Sequence, residues 1–347
     1  MPQKKIITIV GAGMMGSAMA TPARDNGHAV RLVGTPLDDH IISRARHDGY
    51  HPTLKEQLPG GIEFYTVADL ATAMAGADLI IGGVSSFGVD WFSEAVLPLL
   101  QPGQHVLSVT KGLQDYPDGR LRPFPELLAE RLPAALRGRI SFSAIGGPCT
   151  SYELARRRQT MVYFCGTDAA AVATARDLLA TAYYHITPTA DVLGLECCVA
   201  MKNAYALGVS MAIGLWGGAD ERQGFNPQAA LFGQSCREVT RLIRHLGADT
   251  DLVANIPFAG DLYVTIFGGR TRRLGTLLGQ GKSMVEAEAL LSGVTLESVA
   301  ITRRVVAALR ALAAAGKVKL ADYPLLMHID DVINDRRPAA LPWDALR

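Results

Sequence analysis

The sequence predicts a doubly wound α/β domain with a mostly parallel sheet, followed by an all-α domain. Three observations lead to this prediction. A β-branched run, Lys5–Val10, leads directly into a glycine-rich turn and a helical stretch. Strand-like and helix-like runs then alternate up to about residue 189, as in parallel strands joined by crossover helices. Because only helical patterns follow, we expect domains at 1–189 and 190–335, and a tail at 336–347 that carries two prolines.

The turn after the first predicted strand reads Gly11-Ala12-Gly13-Met14-Met15-Gly16. A strand, a G-x-G-x-x-G turn and a helix in this order form a known dinucleotide-binding unit. Its first glycine allows the tight turn, and its second lets the backbone approach a pyrophosphate. The third glycine lets helix and strand pack closely, and the helix N-terminus faces the anion. This order of elements predicts a Rossmann-type dinucleotide site, and it is a more specific signal than the six-residue pattern alone.

The remaining elements follow from hydrophobic runs and their spacing. Further strands are predicted at Ala29–Val33, Leu79–Val84, His105–Val109, Ile140–Ile145, Thr160–Cys165 and Tyr184–Ile186. Helices are predicted at 168–180, Asp191–Gly218, Pro227–Leu246, Ser283–Leu291, Ser298–Ala315 and Tyr323–Asn334. Ligands of doubly wound sheets bind beyond the carboxyl ends of the strands. Lys111 and Gly147 each follow such an end, so both are candidate site residues.

The residues after the second predicted strand bear on the choice of cofactor. A site that prefers NAD often has an acid at this strand end, where it holds the ribose 2′-hydroxyl. Here the chain reads Gly34-Thr35-Pro36, and Asp38 and Asp39 come somewhat late. No arginine stands directly there to hold a 2′-phosphate. The sequence therefore leaves the choice between NAD and NADP open.

The stretch Asp191–Gly218 is almost wholly apolar, yet Lys202 and Asn203 lie at its middle. A membrane-spanning helix with a central lysine would be costly, so a buried helix is the better interpretation. Burying an unpaired ammonium is also costly. Glu196 lies about two turns before Asn203 on the same face. Lys202 is therefore either part of a buried structural ion pair or a catalytic lysine whose pKa is tuned by its apolar surroundings.

Two glycine-containing segments lie between the predicted helices of the second domain. The first is Pro257–Thr265, with Asp261, and the second is Gly268–Arg273. Glycines beside an arginine suit a phosphate clamp, because backbone amides and a guanidinium can both reach the oxygens. A basic loop on a solvated face is the alternative, and Asp261 by itself could be a helix cap.

Composition restricts the function classes. The chain has 347 residues, 49% of them hydrophobic, and a net charge of +1, which argues against nucleic acid or an anionic membrane surface as a partner. The five cysteines show no metal-ligand spacing, so we expect no metal and reduced thiols in the cytoplasm. The N-terminus runs straight into a strand and is unlike a signal peptide.

Several motifs in order resemble the NAD(P)-dependent sn-glycerol-3-phosphate dehydrogenase family, from Lys5 to about Asn334. They are GAGMMGSA at Gly11, TKGL at Thr110, GGPCTSYEL at Gly146, DVLGLE with Lys202-Asn203, GDL at Gly260, GGRTRR at Gly268, LGQGK at Leu278 and YPLLMHIDDVI at Tyr323. The resemblance implies reversible reduction of dihydroxyacetone phosphate by NADH or NADPH. It also implies a C-terminal domain like that of 6-phosphogluconate dehydrogenase, and a homodimer.

The resemblance assigns roles to individual residues. Lys202 matches the catalytic proton donor and acceptor, accompanied in the catalytic set by Lys111, Asn203 and Asp261. The expected substrate-binding residues are Lys111, Gly147, Lys202, Asp261, Thr265, Arg270 and Thr271. The expected cofactor-binding residues are Gly11, Gly13, Met14, Met15, Gly16, Thr35, Phe87, Lys111, Ser151, Arg270 and Glu297.

The departures from the family pattern fall near the expected substrate. Arg270-Thr271 stands where the family has Arg-Asn, and Gly146–Cys149 reads Gly-Gly-Pro-Cys where bacterial members have Ser-Gly-Pro-Thr. Gln234 replaces a usual arginine, and Cys197-Cys198 replaces smaller residues. A dehydrogenase of the same fold that acts on another phosphorylated polyol or ketose, of four or five carbons, is therefore an alternative. A third is a non-catalytic NAD(P)-binding sensor, although a sensor need not retain a proton donor.

Overall fold

The computed structural model describes residues 4–217, 224–293 and 295–346. Gly218 at the end of the predicted central helix and Arg347 in the predicted tail lie outside them. The elements up to residue 123 are β1 (Ile6–Val10), α1 (Met14–Asp25), β2 (Ala29–Val33), α2 (Asp39–Asp48), β3 (Tyr50–His51), β4 (Glu56–Gln57), β5 (Ile62–Tyr65), α3 (Leu70–Met74), β6 (Leu79–Gly82), α4 (Val89–Ala95), β7 (His105–Ser108), β8 (Leu113–Asp115) and β9 (Leu121–Pro123).

The later elements are mostly helical. They are α5 (Phe124–Arg131), β10 (Ser141–Gly146), α6 (Ser151–Ala155), β11 (Thr160–Gly166), α7 (Ala169–Leu179), β12 (Tyr184–Thr189), α8 (Val192–Trp216), α9 (Phe225–Leu246), α10 (Asp251–Ala254), α11 (Asp261–Ile266), α12 (Gly269–Gly279), α13 (Met284–Leu290), α14 (Glu297–Ala314) and α15 (Pro324–Ile333).

The chain divides into two compact units. The first comprises residues up to Lys111 together with Phe124–Val192, and the second comprises Gly112–Pro123 and everything from Leu193 onward. The segment 112–123, which the sequence placed in the first domain, forms the hairpin β8–β9 and belongs to the second unit. Its contacts explain this placement, since Arg304 of α14 donates a hydrogen bond of 3.2 Å to the carbonyl of Leu113.

The sheet of the first unit has the strand order β12-β11-β10-β7-β6-β1-β2-β5. All neighbouring pairs are parallel except β10 and β11. Strands β1, β2 and β5 extend to one side and β6, β7 and β10 to the other. The order therefore reverses between β1 and β6, where ligands of such sheets bind. The predicted fold class, a doubly wound and mostly parallel sheet followed by a helical domain, is confirmed, and the hairpin β8–β9 is an addition to the otherwise helical second unit.

Both faces of this sheet are covered, as its apolar strands require. Alternate side chains of β1 reach opposite faces. Ile7 and Ile9 belong to one buried cluster and Val10 belongs to another, and all three are fully buried. The two clusters hold β1 rigidly at the centre of the sheet, where its carboxyl end carries the glycine-rich turn.

Helix α8 is the central element of the second unit. It is long and apolar enough to cross a membrane, but most of its apolar window is buried within the protein, as expected for a core helix. Most of its side chains are fully buried, and Lys202 and Asn203 lie among the few that reach solvent in part. The apolar composition of the helix is thus explained by packing.

The two glycine-containing segments around Asp261 and Arg270 are largely helical. Ile256–Gly260 forms a short π-helical turn that continues into α11, and Gly268 precedes α12. Of the two interpretations of Gly268–Arg273, the basic loop is contradicted in its conformation, because the buried side chains of Leu274 and Leu278, four residues apart, hold the segment from Gly269 onward as a helix.

Candidate active site

Three glycines meet where the strand order reverses. Gly11 has a φ of 113°, and a Cβ on it would lie 2.7 Å from the backbone of Gly83, which follows β6. A Cβ on Gly16 would lie 2.2 Å from the carbonyl oxygen of Gly11. Both contacts are with backbone, which cannot move aside as a flexible side chain can. Glycine is therefore required at Gly11 and Gly16 for the close approach of turn, helix and neighbouring strand.

Gly13 differs from its two neighbours in the motif. Its φ of −63° suits any residue, and a Cβ there would meet only the carbonyl oxygen of Gly83, at 3.9 Å. The protein therefore leaves room beside Gly13, as close approach by a pyrophosphate would require. Helix α1 begins at the next residue with no acidic side chain in its first turn. Its positive end suits an anion, so these residues fit a dinucleotide.

The other predicted residues of the first unit follow the carboxyl ends of its strands. Thr35 lies after β2, where its hydroxyl donates a hydrogen bond of 2.8 Å to Asp38. Phe87 lies in the turn after β6 and its ring is exposed. The Lys111 ammonium, after β7, lies 3.2 Å from the carbonyl oxygen of Gly147, after β10. Ser151, which is buried, is the first residue of α6.

In the second unit, the ammonium of Lys202 lies 2.5 Å from a carboxylate oxygen of Asp261. Only 12% of the lysine side chain and 2% of the aspartate side chain are exposed. The structure thus brings together two of the predicted catalytic residues, which are far apart in sequence. Asp261, on α11, is thus an acidic partner of Lys202 from a different helix.

The turn that carries Asp261 is held by aromatic packing. The rings of Tyr205, on α8, and Phe258, in the π-helical turn, pack edge to face with centroids 6.1 Å apart. The hydroxyl of Thr265 donates a hydrogen bond of 2.6 Å to the backbone carbonyl of Asp261. Single π-helical turns occur frequently at functional sites. Here the turn places the Asp261 carboxylate opposite Lys202.

Tyr205 is itself fixed by Glu238, a fully buried residue of α9. The Tyr205 hydroxyl donates a hydrogen bond of 2.9 Å to the Glu238 carboxylate, and Gln234 donates another. The backbone amides of Leu325 and Leu326, in the first turn of α15, donate two more. Burial raises the pKa of Glu238, and these hydrogen bonds oppose the rise. The buried carboxylate thus ties α8 to α9 and to the positive end of α15.

The remaining predicted residues of the second unit are spread over three helices. Asn203 is half-buried beside Lys202, whereas Arg270 is exposed and Thr271 half-buried in the first turn of α12. Glu297 is the first residue of α14. A groove of about 820 Å³ beside α12 is lined in part by Arg272. Basic side chains are thus present on more than one side of the α12 N-terminus.

Sequence comparison establishes the family. Residues 6–172 match the family profile described as NAD-dependent glycerol-3-phosphate dehydrogenase N-terminus, and residues 191–341 match the profile of its C-terminus. The chain is 34% identical over 285 residues to an NADP(+)-dependent glycerol-3-phosphate dehydrogenase of Archaeoglobus fulgidus, covering 81% of this chain and 82% of that one. The chain belongs to the NAD-dependent glycerol-3-phosphate dehydrogenase family.

Two further comparisons extend over nearly the whole chain. A glycerol-3-phosphate dehydrogenase [NAD(P)+] of Streptococcus pneumoniae is 27% identical over 350 residues, or 98% of this chain and 99% of that one. The crystal structure of glycerol-3-phosphate dehydrogenase from Coxiella burnetii has a TM-score of 0.81 and 24% identity, covers 99% of this chain and 98% of that one, and shows the same fold. The predicted family, enzyme class and NAD(P) dependence are confirmed, and the alternative phosphorylated substrate is not favoured. The roles of individual residues stay predictions.

Sequence reasoning missed three residues around the dinucleotide turn of this family member. Gly83 packs against Gly11, and its only sequence signal was a second glycine at the end of a strand. Asp38 was noted only as an acid that comes late, and His51 gave no signal. Asp38 and His51 both form hydrogen bonds with the backbone of Ala12. Within residues 4–217, 224–293 and 295–346, no group of three or more His, Cys, Asp or Glu residues is placed to hold a metal ion.

Proposed function

We propose that this chain catalyses reversible hydride transfer between NADH or NADPH and dihydroxyacetone phosphate, giving sn-glycerol 3-phosphate. The observation that carries the proposal is the buried Lys202–Asp261 pair, at 2.5 Å, in a chain of this family. A lysine in an apolar helix that pairs with a buried carboxylate from another helix is a candidate for a functional ammonium.

The bound nicotinamide would supply the hydride to the ketone carbon, and the protein must manage the charge that develops on oxygen. Lys202 would stabilise the alkoxide-like oxygen and donate its proton to it. In the oxidative direction it would accept that proton. Asp261 would hold the ammonium in place, because a carboxylate fixes both its position and its charge. The packing of Tyr205 on Phe258 would keep the Asp261 turn rigid.

The substrate phosphate requires cationic or amide groups. Arg270 in the first turn of α12 would bind it through a guanidinium fork, and the uncapped N-terminal amides of this helix would assist. Thr271 would offer a hydroxyl where the family pattern has an amide. Lys111 would also contact the substrate, from its place beside the Gly147 carbonyl. The net charge of +1 makes these local cations the source of affinity for an anionic substrate.

The test is a spectrophotometric assay of the purified chain with dihydroxyacetone phosphate and each reduced cofactor. We expect substrate-dependent oxidation of NADH or NADPH, and its loss in Lys202→Ala. Four- and five-carbon ketose phosphates serve as parallel substrates. Turnover of one of these in preference to dihydroxyacetone phosphate would reassign the substrate, and no turnover of any would contradict a dehydrogenase function.

We also infer a cytoplasmic homodimer. The adjacent Cys197 and Cys198 are awkward for a simple disulfide framework, which fits thiols kept reduced in the cytoplasm. The exposed rings of Tyr263 and Phe267, which pack edge to face, provide apolar surface for a second copy. Light scattering of the protein as it elutes from a size-exclusion column should give twice the mass of the chain. The mass of a monomer would contradict the dimer.

A further inference from the structure

The peptide groups of Ala12, inside the glycine-rich turn, are held from both sides by residues distant in sequence. The Ala12 amide donates a hydrogen bond of 3.1 Å to Asp38 Oδ2. The Ala12 carbonyl accepts one of 2.8 Å from His51 Nε2 and one of 3.1 Å from the Ser17 hydroxyl. Ala12 and His51 are fully buried, and Asp38 is 8% exposed.

The contacts of Asp38 explain why it comes late after β2. Its Oδ2 atom accepts from the Thr35 amide at 2.9 Å, from the Thr35 hydroxyl at 2.8 Å and from the Ala12 amide. A carboxylate that only read the ribose 2′-hydroxyl would have to direct its oxygens to the ligand. Here one oxygen is committed to the backbone of the loop and of the dinucleotide turn.

His51 is placed with a defined tautomer. The Leu54 amide donates a hydrogen bond of 2.9 Å to His51 Nδ1, so the ring proton lies on Nε2 and is donated to the Ala12 carbonyl. Burial lowers the pKa of His51, which favours this neutral form. Asp38 and His40 are the charged and titratable neighbours that act on the ring, in opposite directions.

We propose that Asp38 and His51 are positioning residues that fix the Ala12 peptide and thereby preorganise the turn for the pyrophosphate common to NAD and NADP. The inference rests on the proposed function and deepens it. The proposed role of Asp38 can be distinguished from that of an acid that binds the ribose, because loss of a positioning residue weakens the binding of both cofactors equally. Loss of a ribose-reading acid would weaken NADH selectively and favour NADPH.

The experiment measures the Kd of NADH and of NADPH by nucleotide fluorescence, without substrate, together with the Tm. Asp38→Asn keeps an oxygen that can accept the same three hydrogen bonds, and Asp38→Ala removes it. We expect Asp38→Ala to raise both Kd values by about tenfold or more, as for the loss of a charged hydrogen-bond partner. Asp38→Asn should stay within about threefold of the wild type for both. A change in the ratio of the two Kd values would overturn the inference.

A second pair of variants tests His51 if Asp38→Ala fails to fold. His51→Gln carries an amide nitrogen near the Nε2 position and can still donate to Ala12, whereas His51→Asn can only replace Nδ1 and accept from Leu54. We expect His51→Gln to bind both cofactors more tightly than His51→Asn, at similar Tm. If His51→Gln and His51→Asn bound the cofactors equally well, the inference about His51 would be overturned, but the proposed function would not. A wild-type chain that binds neither cofactor would overturn the proposed function as well.

Discussion

The Lys202 ammonium and the Asp261 carboxylate form a pair 2.5 Å apart that is almost closed to solvent. A buried pair contributes little net stability, but removal of one partner leaves an uncompensated charge that costs about 3–5 kcal/mol. The pair is therefore a weak candidate for a purely structural element. Its arrangement is better explained by a need to hold an ammonium at a fixed point.

Lys202→Met should lower kcat by at least about 100-fold, because the proton donor is lost. It should also lower the free energy of unfolding by about 3 kcal/mol, because Asp261 remains buried without its ammonium. Initial rates with saturating dihydroxyacetone phosphate and NADH or NADPH measure the change in kcat. Urea unfolding of the same preparation measures the change in the free energy of unfolding.

The double variant Lys202→Met, Asp261→Asn is the matched control for that experiment. With both charges removed, most of the lost stability should return while kcat stays low. If activity returned together with stability, the lysine would have only a structural role and the proton donor would have to be sought elsewhere.

Gly13→Ala should leave folding intact and weaken cofactor binding. The backbone conformation at Gly13 suits alanine, and the new Cβ would meet only one protein atom, at 3.9 Å. The Tm should therefore be unchanged or slightly higher. The methyl group would occupy the room left beside the turn, so the Kd for both cofactors should rise by about tenfold or more, as for about 1.4 kcal/mol of lost binding energy. Fluorescence titration and thermal unfolding measure both quantities.

Gly16→Ala is the matched control within the same turn. Its Cβ would lie 2.2 Å from the Gly11 carbonyl oxygen, so the cost falls on folding, at about 1–3 kcal/mol or more. A Gly13→Ala chain that binds cofactor like the wild type would show that the pyrophosphate does not approach this glycine.

Arg270→Ala should raise the KM for dihydroxyacetone phosphate by about tenfold or more, with a smaller effect on kcat. A charge-assisted, bidentate contact to phosphate is among the stronger polar interactions, and it would be present in both ground and transition states. Steady-state kinetics with varied substrate measure the split. Arg244→Ala is the control, because Arg244 is also exposed, in the last turn of α9, and its loss should leave the KM unchanged. A loss of Tm at an unchanged KM would assign Arg270 to the fold instead.

The parts of the site that were predictable from sequence are those encoded locally. The turn from Gly11 to Gly16 is specified by six consecutive residues between a strand and a helix. The close approach of turn, helix and strand could therefore be predicted from these residues. The Lys202–Asp261 pair is not local, since the residues lie on different helices. An apolar helix with one lysine indicates that a partner exists, but it does not identify the partner. Only the family resemblance pointed to Asp261.

The features that the sequence did not reveal have physical causes of the same kind. Helix α12 follows Gly268 and begins with Gly269 and Thr271, which have weak helix propensity, and its first five residues include no apolar side chain that would show a helical period. Packing of Leu274 and Leu278 decides its conformation. Likewise, the contact of His51 with Ala12 depends on how the chain returns after α2, and no spacing rule predicts it.

His105 predicts a pH dependence of stability that is separate from catalysis. Its ring is buried at the start of β7, with Nε2 2.5 Å from the Ser143 hydroxyl, and burial lowers its pKa from 6.5 to about 4. Between these two values the unfolded chain binds a proton that the folded chain does not, so the free energy of unfolding falls as pH falls through this window. At about 1.4 kcal/mol per pH unit, the loss approaches about 3 kcal/mol near pH 4.

Urea unfolding at pH 7 and at pH 5 should show a smaller acid-induced loss of unfolding free energy for His105→Gln than for the wild type. His47→Gln, which changes an exposed ring, should follow the wild type. Equal acid sensitivity of the wild type and His105→Gln would show that His105 binds its proton equally well in the folded and unfolded chain.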